Sequence, residues 1–360
     1  MRFFSRKVVS HIVVCKGWQV YFPTDFFPGF RAIVMRRIFP LFVLMFTACT
    51  AQPLAVAPDV IHAQAHNGGS SVAFSESDDL LASGGWEGSV QIWRLPDGEP
   101  LYRWQAHQDS VNGVVFTADD RHVVTTGYDG WLAEWELGGT SLRRVMTPAP
   151  ITGMAADTRG DRLMTGHSDG SVRVWRLRDL SLLDERVQHR GGVKAVAIEP
   201  NAARYASSGT DGAVFVWTGN GAPTQLESPP TDAWSLAFSP DGRQLYGGGW
   251  FRLFRWNLGD NSLVTLPTGH HGIIKSIKFT ADGSELATIS RQTDSAVLFL
   301  DPLTGAVTRR FQPHELCGAA ISVSPHGQYL ATTSDDASVR IWVLNRQGEG
   351  IPTSQRFSPP

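Results

Sequence analysis

Five histidines lie at intervals of 41 to 82 residues along the chain, and histidine is the side chain most often used as a general base or metal ligand near neutral pH. The strings His270-His271 and His314-Glu315-Leu316-Cys317 place potential metal donors side by side. However, the sequence contains no phosphate loop, Cys-x-x-Cys pair or H-E-x-x-H motif. What these side chains do therefore depends on the elements that carry them. The five are His66, His107, His189, His270 and His314.

An internal repeat positions the histidines. Runs of alternating apolar residues end in a tryptophan, or once in a leucine, at spacings of 39 to 44 residues. A period of about 40 to 45 residues with this alternation is typical of a four-stranded propeller blade. Seven anchors predict an all-β fold, a seven-bladed β-propeller. The anchors are Trp93, Trp135, Trp175, Trp217, Trp256, Leu300 and Trp342.

One strand is left over at the start of the repeats. Each repeat begins with the outer strand of the preceding blade, so residues 59–64 have no blade of their own. We expect them to complete the last blade, which joins N- and C-terminal strands in one sheet and leaves no edge open. The predicted propeller spans residues 59–344, with a tether at 49–58 and a polar tail at 345–360.

These motifs resemble the WD-repeat family over nearly all of residues 59–344. In that family a histidine before the innermost strand, a Ser or Thr on the next strand, an aspartate in the following turn and the tryptophan form a buried hydrogen-bonded set. By this resemblance Thr147 replaces the histidine of blade 3, Ser290 is the hydroxyl of blade 6, and blade 5 lacks the set. The histidines are then structural, and a metal site is not expected. Complete sets are predicted in blades 2, 4 and 7: His107, Thr125, Asp129 and Trp135; His189, Ser207, Asp211 and Trp217; His314, Thr332, Asp336 and Trp342.

The N-terminal region has the features of an export signal. A short basic start at residues 35–37 precedes nine apolar residues at 38–46 and small residues before Cys49. Nine residues are too few to cross a bilayer, which needs about 20. An export signal begins near the true N-terminus, so we expect Met35 to be the start and residues 1–34 to be a mis-assigned extension. The alternative is a genuine cytoplasmic extension before a membrane anchor.

The tetrapeptide Phe46-Thr47-Ala48-Cys49 resembles the bacterial lipobox, although Phe46 stands where that family usually has leucine. The resemblance implies that residues 35–48 are a signal peptide and that Cys49 carries the lipid. Thr50 is not the aspartate that would alter sorting, so we expect the outer membrane of a bacterial envelope, with the protein facing the periplasm. The alternative is an ordinary signal peptide or uncleaved anchor with Cys49 incidental.

Removal of residues 1–48 changes the charge and the cysteine content. It leaves 25 basic against 33 acidic residues, a net charge of −8. We therefore expect no nucleic-acid partner, because phosphate binding requires a basic face. With Cys15 removed and Cys49 lipidated, Cys317 is left alone and is expected to be a small apolar filler.

The predicted function is non-catalytic protein binding, with no cofactor. The family resemblance implies a rigid platform for other proteins on the periplasmic side of a membrane. Two alternatives stay open: an enzyme with its site at the central channel, and an intracellular scaffold if the N-terminus is not processed. Acid, base or metal-ligand side chains converging at the channel would favour the enzyme.

The predicted binding surface lies on blades 4 to 6. Lys194 and Lys275 each follow the first apolar residue of an innermost strand, and Trp234 has the equivalent place in blade 5. The turn of blade 5 carries Trp250 where other blades have an acid. We predict that these four residues contact an acidic or extended partner segment. The alternative is a degenerate blade whose tryptophans pack inward.

A second aromatic contact is predicted on the opposite arc of the ring. Trp86 and Tyr128 stand just before the turn acids of blades 1 and 2. Their place in the repeat predicts exposure beside the partner-binding rim.

Overall fold

The computed structural model describes residues 55–200, 204–219 and 221–344, and the backbone of two short strands nearer the N-terminus. The chain divides into two units, residues 1–53 and 54–360. In the first, Val14–Cys15 and Trp18–Gln19 pair as a two-stranded antiparallel sheet. Among the described residues, no helix is long and apolar enough to cross a membrane. The predicted signal peptide and Cys49 lie outside the described residues.

The second unit is all β, and its seven four-stranded antiparallel sheets form the predicted seven-bladed propeller. Turn residues separate short alternating strands, which favours hairpins over longer elements. From the innermost strand outward, the blades are: blade 1, Gly69–Phe74, Leu80–Gly85, Ser89–Arg94 and Glu99–Gln105; blade 2, Val111–Phe116, His122–Gly127, Trp131–Glu136 and Ser141–Met146; blade 3, Ile151–Asp157, Arg162–His167, Ser171–Arg176 and Leu182–Val187; blade 4, Val193–Ile198, Arg204–Gly209, Val214–Thr218 and Thr224–Gln225; blade 5, Ser235–Phe238, Gln244–Gly248, Arg252–Asn257 and Leu263–Pro267; blade 6, Ile273–Phe279, Leu286–Arg291, Val297–Leu300 and Val307–Phe311; blade 7, Gly318–Val323, Tyr329–Ser334, Val339–Val343 and Val60–His62.

The ring closes as the sequence predicts. Val60–His62 pairs antiparallel with Val339–Val343 as the outer strand of blade 7. The closing strand also reaches blade 1, where the His62 ring stacks on Trp93 with their centroids 4.0 Å apart. The two ends of the propeller are therefore held by backbone pairing and by a contact with the next blade.

The core lies between neighbouring blades. The cluster shared by blades 1 and 2, for example, joins Ile92 to Phe116 and Trp135, all of them buried. A fully buried side chain of this size contributes about 1.5 to 3 kcal/mol. Because each sheet packs its two faces against its two neighbours, no blade buries its apolar residues alone.

Part of the predicted tether is built into the propeller. The Val56 amide donates to Arg310 O at 2.9 Å, and the Gln312 amide donates to Val56 O at 2.8 Å. Val56 thus bridges to the outer edge of blade 6 before the chain enters blade 7. Pairing with the propeller therefore begins at Val56, three residues before the predicted start at residue 59. The open outer edge of blade 6 accepts this additional pair of backbone hydrogen bonds.

Candidate functional site

The buried histidine sets stabilise individual blades. In blade 2 the indole of Trp135 donates to Thr125 at 2.9 Å, the Thr125 hydroxyl donates to His107 Nε2 at 2.8 Å, and His107 Nδ1 donates to Asp129 at 2.9 Å. Blade 1 is equally complete, with Glu87 accepting from His66 Nδ1 at 3.0 Å. Burial tends to raise the pKa of Glu87, but hydrogen bonds from Ser89 and His66 outweigh it and hold the pKa at about 2. Both ring nitrogens of His66 and of His107 are thus engaged in hydrogen bonds that stabilise their blades.

Blades 4 and 7 carry only part of the predicted set. His189 contacts Ser207 at 2.8 Å and Asp211 at 3.0 Å, but the Trp217 indole N–H is buried without a partner. His314 likewise contacts Thr332 at 2.7 Å and Asp336 at 3.0 Å. There the indole of Trp342 donates to Val56 O at 3.1 Å instead of to Thr332. The prediction of a four-member set is therefore wrong for these two tryptophans. In blade 7 the reason is the incoming N-terminal segment, whose carbonyl takes the donor.

Blade 3 has a histidine that the sequence analysis missed. Thr147 does not replace the imidazole; His167, two residues after Thr165, occupies its place. Its Nε2 accepts from Thr165 at 2.8 Å, and its Nδ1 donates to Ala149 O at 3.2 Å. In blade 2 the same register position is Gly127, where an added Cβ would lie 2.4 Å from His107 Nδ1.

The arrangement in blade 3 is thus an exchange between two positions. Blades 1, 2 and 4 have a glycine on the second strand and a histidine before the first; blade 3 has His167 on the second strand and Thr147 before the first. Burial, and secondarily the charge of Arg173, lowers the pKa of His167 to about 4. The available signal was a histidine at a glycine position in a repeat that lacks the usual histidine.

The hydroxyl predicted for blade 6 was also wrong. His270 Nε2 contacts Thr288 at 2.7 Å, whereas Ser290 donates to Asp294. Counting back from Leu300 misplaced the residue because two extra residues lie in the turn after Thr288. Counting 18 residues forward from the histidine, as from His107 to Thr125, gives the correct position.

A ring of seven equivalent positions surrounds the central channel. Six are β-bulges on the innermost strands, where one residue has no partner on the next strand and its side chain is redirected. The seventh precedes the innermost strand of blade 5. All line a channel of about 190 Å³. They are Ser70, Asn112, Thr152, Lys194, Trp234, Lys275 and Ala319.

Lys194, Trp234 and Lys275 come together at this channel. The Lys194 ammonium lies 3.9 Å from the centroid of the Trp234 ring, and the Lys275 ammonium lies 5.7 Å from it. Both are cation–π contacts, which are stronger when partly desolvated. Lys194 also pairs with Asp232. Burial, with repulsion from Arg291 and Lys194, lowers the pKa of Lys275.

Trp250 lies apart from the channel lining. Its backbone bridges to Ile273 at the start of blade 6, and its ring meets Phe251 edge-on at 5.5 Å. Phe251 is 45% exposed and has φ of 60°, where blades 1 to 4 have glycine. A bulky residue in this left-handed region is strained by about 1 to 3 kcal/mol. Trp250 is half-buried, whereas Trp256 on the next strand is fully buried.

The remaining predicted residues lie elsewhere on the surface. Trp86 and Tyr128 are 43% and 44% exposed, and neither is among the described residues that line the channel. Cys317 is a half-buried free thiol. Within the described part of the chain, no group of three or more His, Cys, Asp or Glu side chains is arranged to hold a metal ion.

Lys278 is a channel residue that the sequence analysis did not identify. It lies three positions after Lys275 on the same strand and is exposed to the channel. Confinement by the channel walls removes part of its hydration and lowers its pKa. The period-two alternation of the strand does not indicate Lys278, because the bulge at Lys275 shifts the register of this innermost strand. Both lysines therefore line the channel.

The sequence matches the family described as WD domain, G-beta repeat, over residues 60–94, 98–136, 140–176, 181–218 and 305–343. Together these segments cover just over half of the chain. Most of blades 5 and 6, with Trp234 and Lys275, lies between the fourth and fifth segments. The departure in the repeat pattern therefore coincides with the cationic side of the channel.

Among similar proteins, Striatin-4 of Homo sapiens is 22% identical over 309 residues, which cover 78% of this chain and 36% of that protein. Cilia- and flagella-associated protein 52 of Mus musculus is 22% identical, with coverage of 70% and 42%. Autophagy-related protein 16 of Arabidopsis thaliana is 27% identical, with coverage of 41% and 27%. The chain spans less than half the length of each of these curated relatives.

Proposed function

The chain belongs to the WD domain, G-beta repeat family, and we propose that it is a non-catalytic scaffold that binds other proteins and is anchored by lipid on the periplasmic side of a membrane. WD-repeat propellers typically bind other proteins, which supports the first part of the proposal. The second part rests on residues 46–49 alone.

The observation that carries the binding proposal is the grouping of Lys194, Trp234 and Lys275 at one side of the channel. Large aromatic and cationic side chains dominate the energetics of protein interfaces. Among the described residues, no acidic side chain pairs with Lys275, so an acidic or extended partner segment would find an available positive charge there. The strained, exposed Phe251 next to Trp250 lies apart from this group and is a separate candidate contact on blade 5.

The lining of the channel is cationic, which favours a partner of negative charge. The described residues that line the channel include three lysines but no Asp, Glu, His or Cys. The histidines instead serve the hydrogen-bonded sets of separate blades.

The anchoring proposal has a geometric consequence. Val56, which is already paired with blade 6, lies seven positions after Cys49. A fully extended chain spans about 3.3 to 3.6 Å per residue, so the link reaches roughly 25 Å at most. A lipid on Cys49 would thus keep the edge of blades 6 and 7 close to the membrane surface.

Partner recovery tests the binding surface. The double variant Trp234→Ala/Lys275→Glu should abolish recovery of partners from detergent-solubilised envelopes, while its melting temperature stays within a few degrees of the parent. Tyr102→Ala/Arg243→Glu makes the same chemical changes outside the channel and should retain the partners. The assignment fails if the first variant keeps its partners, or if it unfolds.

Membrane fractionation tests the anchor. Cys49→Ala should move the protein from the membrane fraction to the soluble periplasm and abolish palmitate labelling, because the lipid-bearing sulfur is lost. Cys317→Ala removes the other cysteine of the exported chain and should change neither property. Unchanged membrane association of Cys49→Ala would contradict lipidation and favour an uncleaved anchor or an intracellular protein.

A further inference from the structure

The central channel concentrates the ammonium groups of the propeller. The described residues contain three lysines, Lys194, Lys275 and Lys278, and all three line the channel. No acidic residue of the described chain lines it with them. At the surface of the described chain, acidic side chains pair with arginine, as in Arg159–Glu76, Arg178–Asp161 and Arg309–Glu285. The three lysines therefore form a separate cationic environment.

Two of the three charges are without an acidic partner. Lys194 pairs with Asp232, and the nearby Arg291 pairs with Asp335 at 2.9 Å. No salt bridge or hydrogen bond from the described residues reaches the ammonium of Lys275 or Lys278. The net charge at this side of the channel is therefore positive, although Asp232 and Asp335 both lie close by.

The channel is also an unfavourable environment for the charged forms of Lys275 and Lys278. Lys275 is half-buried, which lowers its pKa; Lys278 is exposed to the channel, whose walls remove part of its hydration and lower its pKa. For Lys275, repulsion from Arg291 and Lys194 adds to the effect. An enclosed charge without a partner is costly unless a counter-ion or ligand compensates it.

The innermost strand of blade 6 sets the spacing of the two charges. Lys275 is a bulge residue and Lys278 follows three positions later, about 10 Å along an extended strand. Ser276 lies between them and also lines the channel. At the same side, the indole N–H of Trp234 is buried without an acceptor. Ammonium, hydroxyl and N–H groups are all donors, which suits an acceptor-rich ligand.

We propose that the channel is a binding site for a small oxyanion, a carboxylate or phosphate group, held by the lysines that line it. The volume of about 190 Å³ is below the roughly 300 to 1,000 Å³ of sites for drug-sized ligands, so the ligand is a small molecule or a single inserted side chain. The site requires no protein partner and does not rest on the scaffold function.

Isothermal titration of the full chain with inorganic phosphate and with citrate, at low ionic strength, tests the proposal. We expect saturable binding with one site per chain. Lys278→Met should weaken the binding about tenfold or more, because it removes a charge-assisted contact and keeps the length of the side chain. Arg243→Met removes one exposed charge outside the channel and should leave the affinity unchanged.

Two outcomes would overturn the site. One is the absence of saturable binding by either anion up to millimolar concentration. The other is equal weakening by Lys278→Met and Arg243→Met, which would assign the effect to the overall charge. A thermal melt of each variant establishes that it is folded; if Lys278→Met does not fold, Lys278→Gln takes its place.

A peptide of ten glutamates distinguishes the two sources of the anion. Competition between this peptide and phosphate, lost in Lys278→Met, would assign the site to a side-chain carboxylate of another protein. Phosphate or citrate binding without competition from the peptide would assign it to a free small anion. Because Lys278 is not part of the proposed protein-binding surface, loss of anion binding with retained partners separates the two proposals.

Discussion

The two halves of the ring use the same position differently. In blades 1 to 3 the bulge side chain links its blade to the next one: Ser70 donates to Val111 O at 2.6 Å, Asn112 to Ile151 O at 2.7 Å, and Thr152 to Val193 O at 2.8 Å. In blades 4 to 6 the position carries Lys194, Trp234 and Lys275 instead.

Other side chains make the links in the second half. Ser208 donates to Ala233 O at 2.8 Å, and Ser235 donates to Ile274 O at 3.0 Å. The link between blades is therefore kept, and the bulge position becomes available for charged and aromatic groups. The comparison teaches that a propeller can assign one arc of its channel to cohesion and leave the other to charged and aromatic side chains.

Both arcs depend on the closed ring, so opening it should have the largest effect. Deletion of residues 59–64 removes the outer strand of blade 7 and the stacking of His62 on Trp93. We expect the melting temperature to fall by roughly 10 °C or more. Deletion of six residues from 350–355, in the predicted tail, is the length-matched control. A closing-strand deletion as stable as the parent would contradict the role of this pairing.

Acidification should weaken the first arc through His167. Its folded pKa of about 4 lies below the ordinary value of 6.5, so the unfolded chain binds the proton more tightly. The contribution of neutral His167 to the free energy of unfolding is complete above pH 6.5 and is lost as the pH falls toward 4. It amounts to about 3 kcal/mol in all. Urea unfolding between pH 7 and 4.5 measures it. A variant without His167, such as His167→Gln, should show a shallower loss; an identical pH dependence would exclude this histidine as its source.

A double-mutant cycle sharpens the account of blade 3. Thr147→His alone should lower the free energy of unfolding by about 1 to 3 kcal/mol, because two imidazoles would compete for one space. Adding His167→Gly recreates the arrangement of blade 2 and should recover part of that loss. Chemical denaturation of the four proteins should give a coupling energy of at least about 1 kcal/mol. Additive effects would show that the two positions do not exchange roles.

The smallest expected effect comes from substituting the bulge residue itself, in one arc where it links two blades and in the other where it does not. Thr152→Val removes the hydroxyl that links blade 3 to blade 4 and should cost about 1 kcal/mol, since Val193 O loses its donor. Lys275→Met removes a charge without an acidic partner and should leave the free energy of unfolding unchanged or raise it. Equal losses in the two variants would remove the distinction between the arcs.

The sequence by itself determined the class of fold. Strand alternation, turn residues and a tryptophan, or once a leucine, every 39 to 44 residues are local features, and they are sufficient to predict seven blades. The leftover segment before the first repeat likewise predicted the closing strand, which the structure places at Val60–His62. The complete histidine set of blade 2 follows from the same repeat.

Only the tertiary structure decided which side chains meet. His167 and Thr288 take their places through compensating changes within a blade, which a fixed count from the tryptophan does not follow. The indole of Trp342 finds Val56, 286 residues earlier, because the ring closes on the N-terminal segment. Lys194, Trp234, Lys275 and Lys278 share one channel for the same reason: their strands are distant in sequence and become neighbours only when all the blades pack around a common axis.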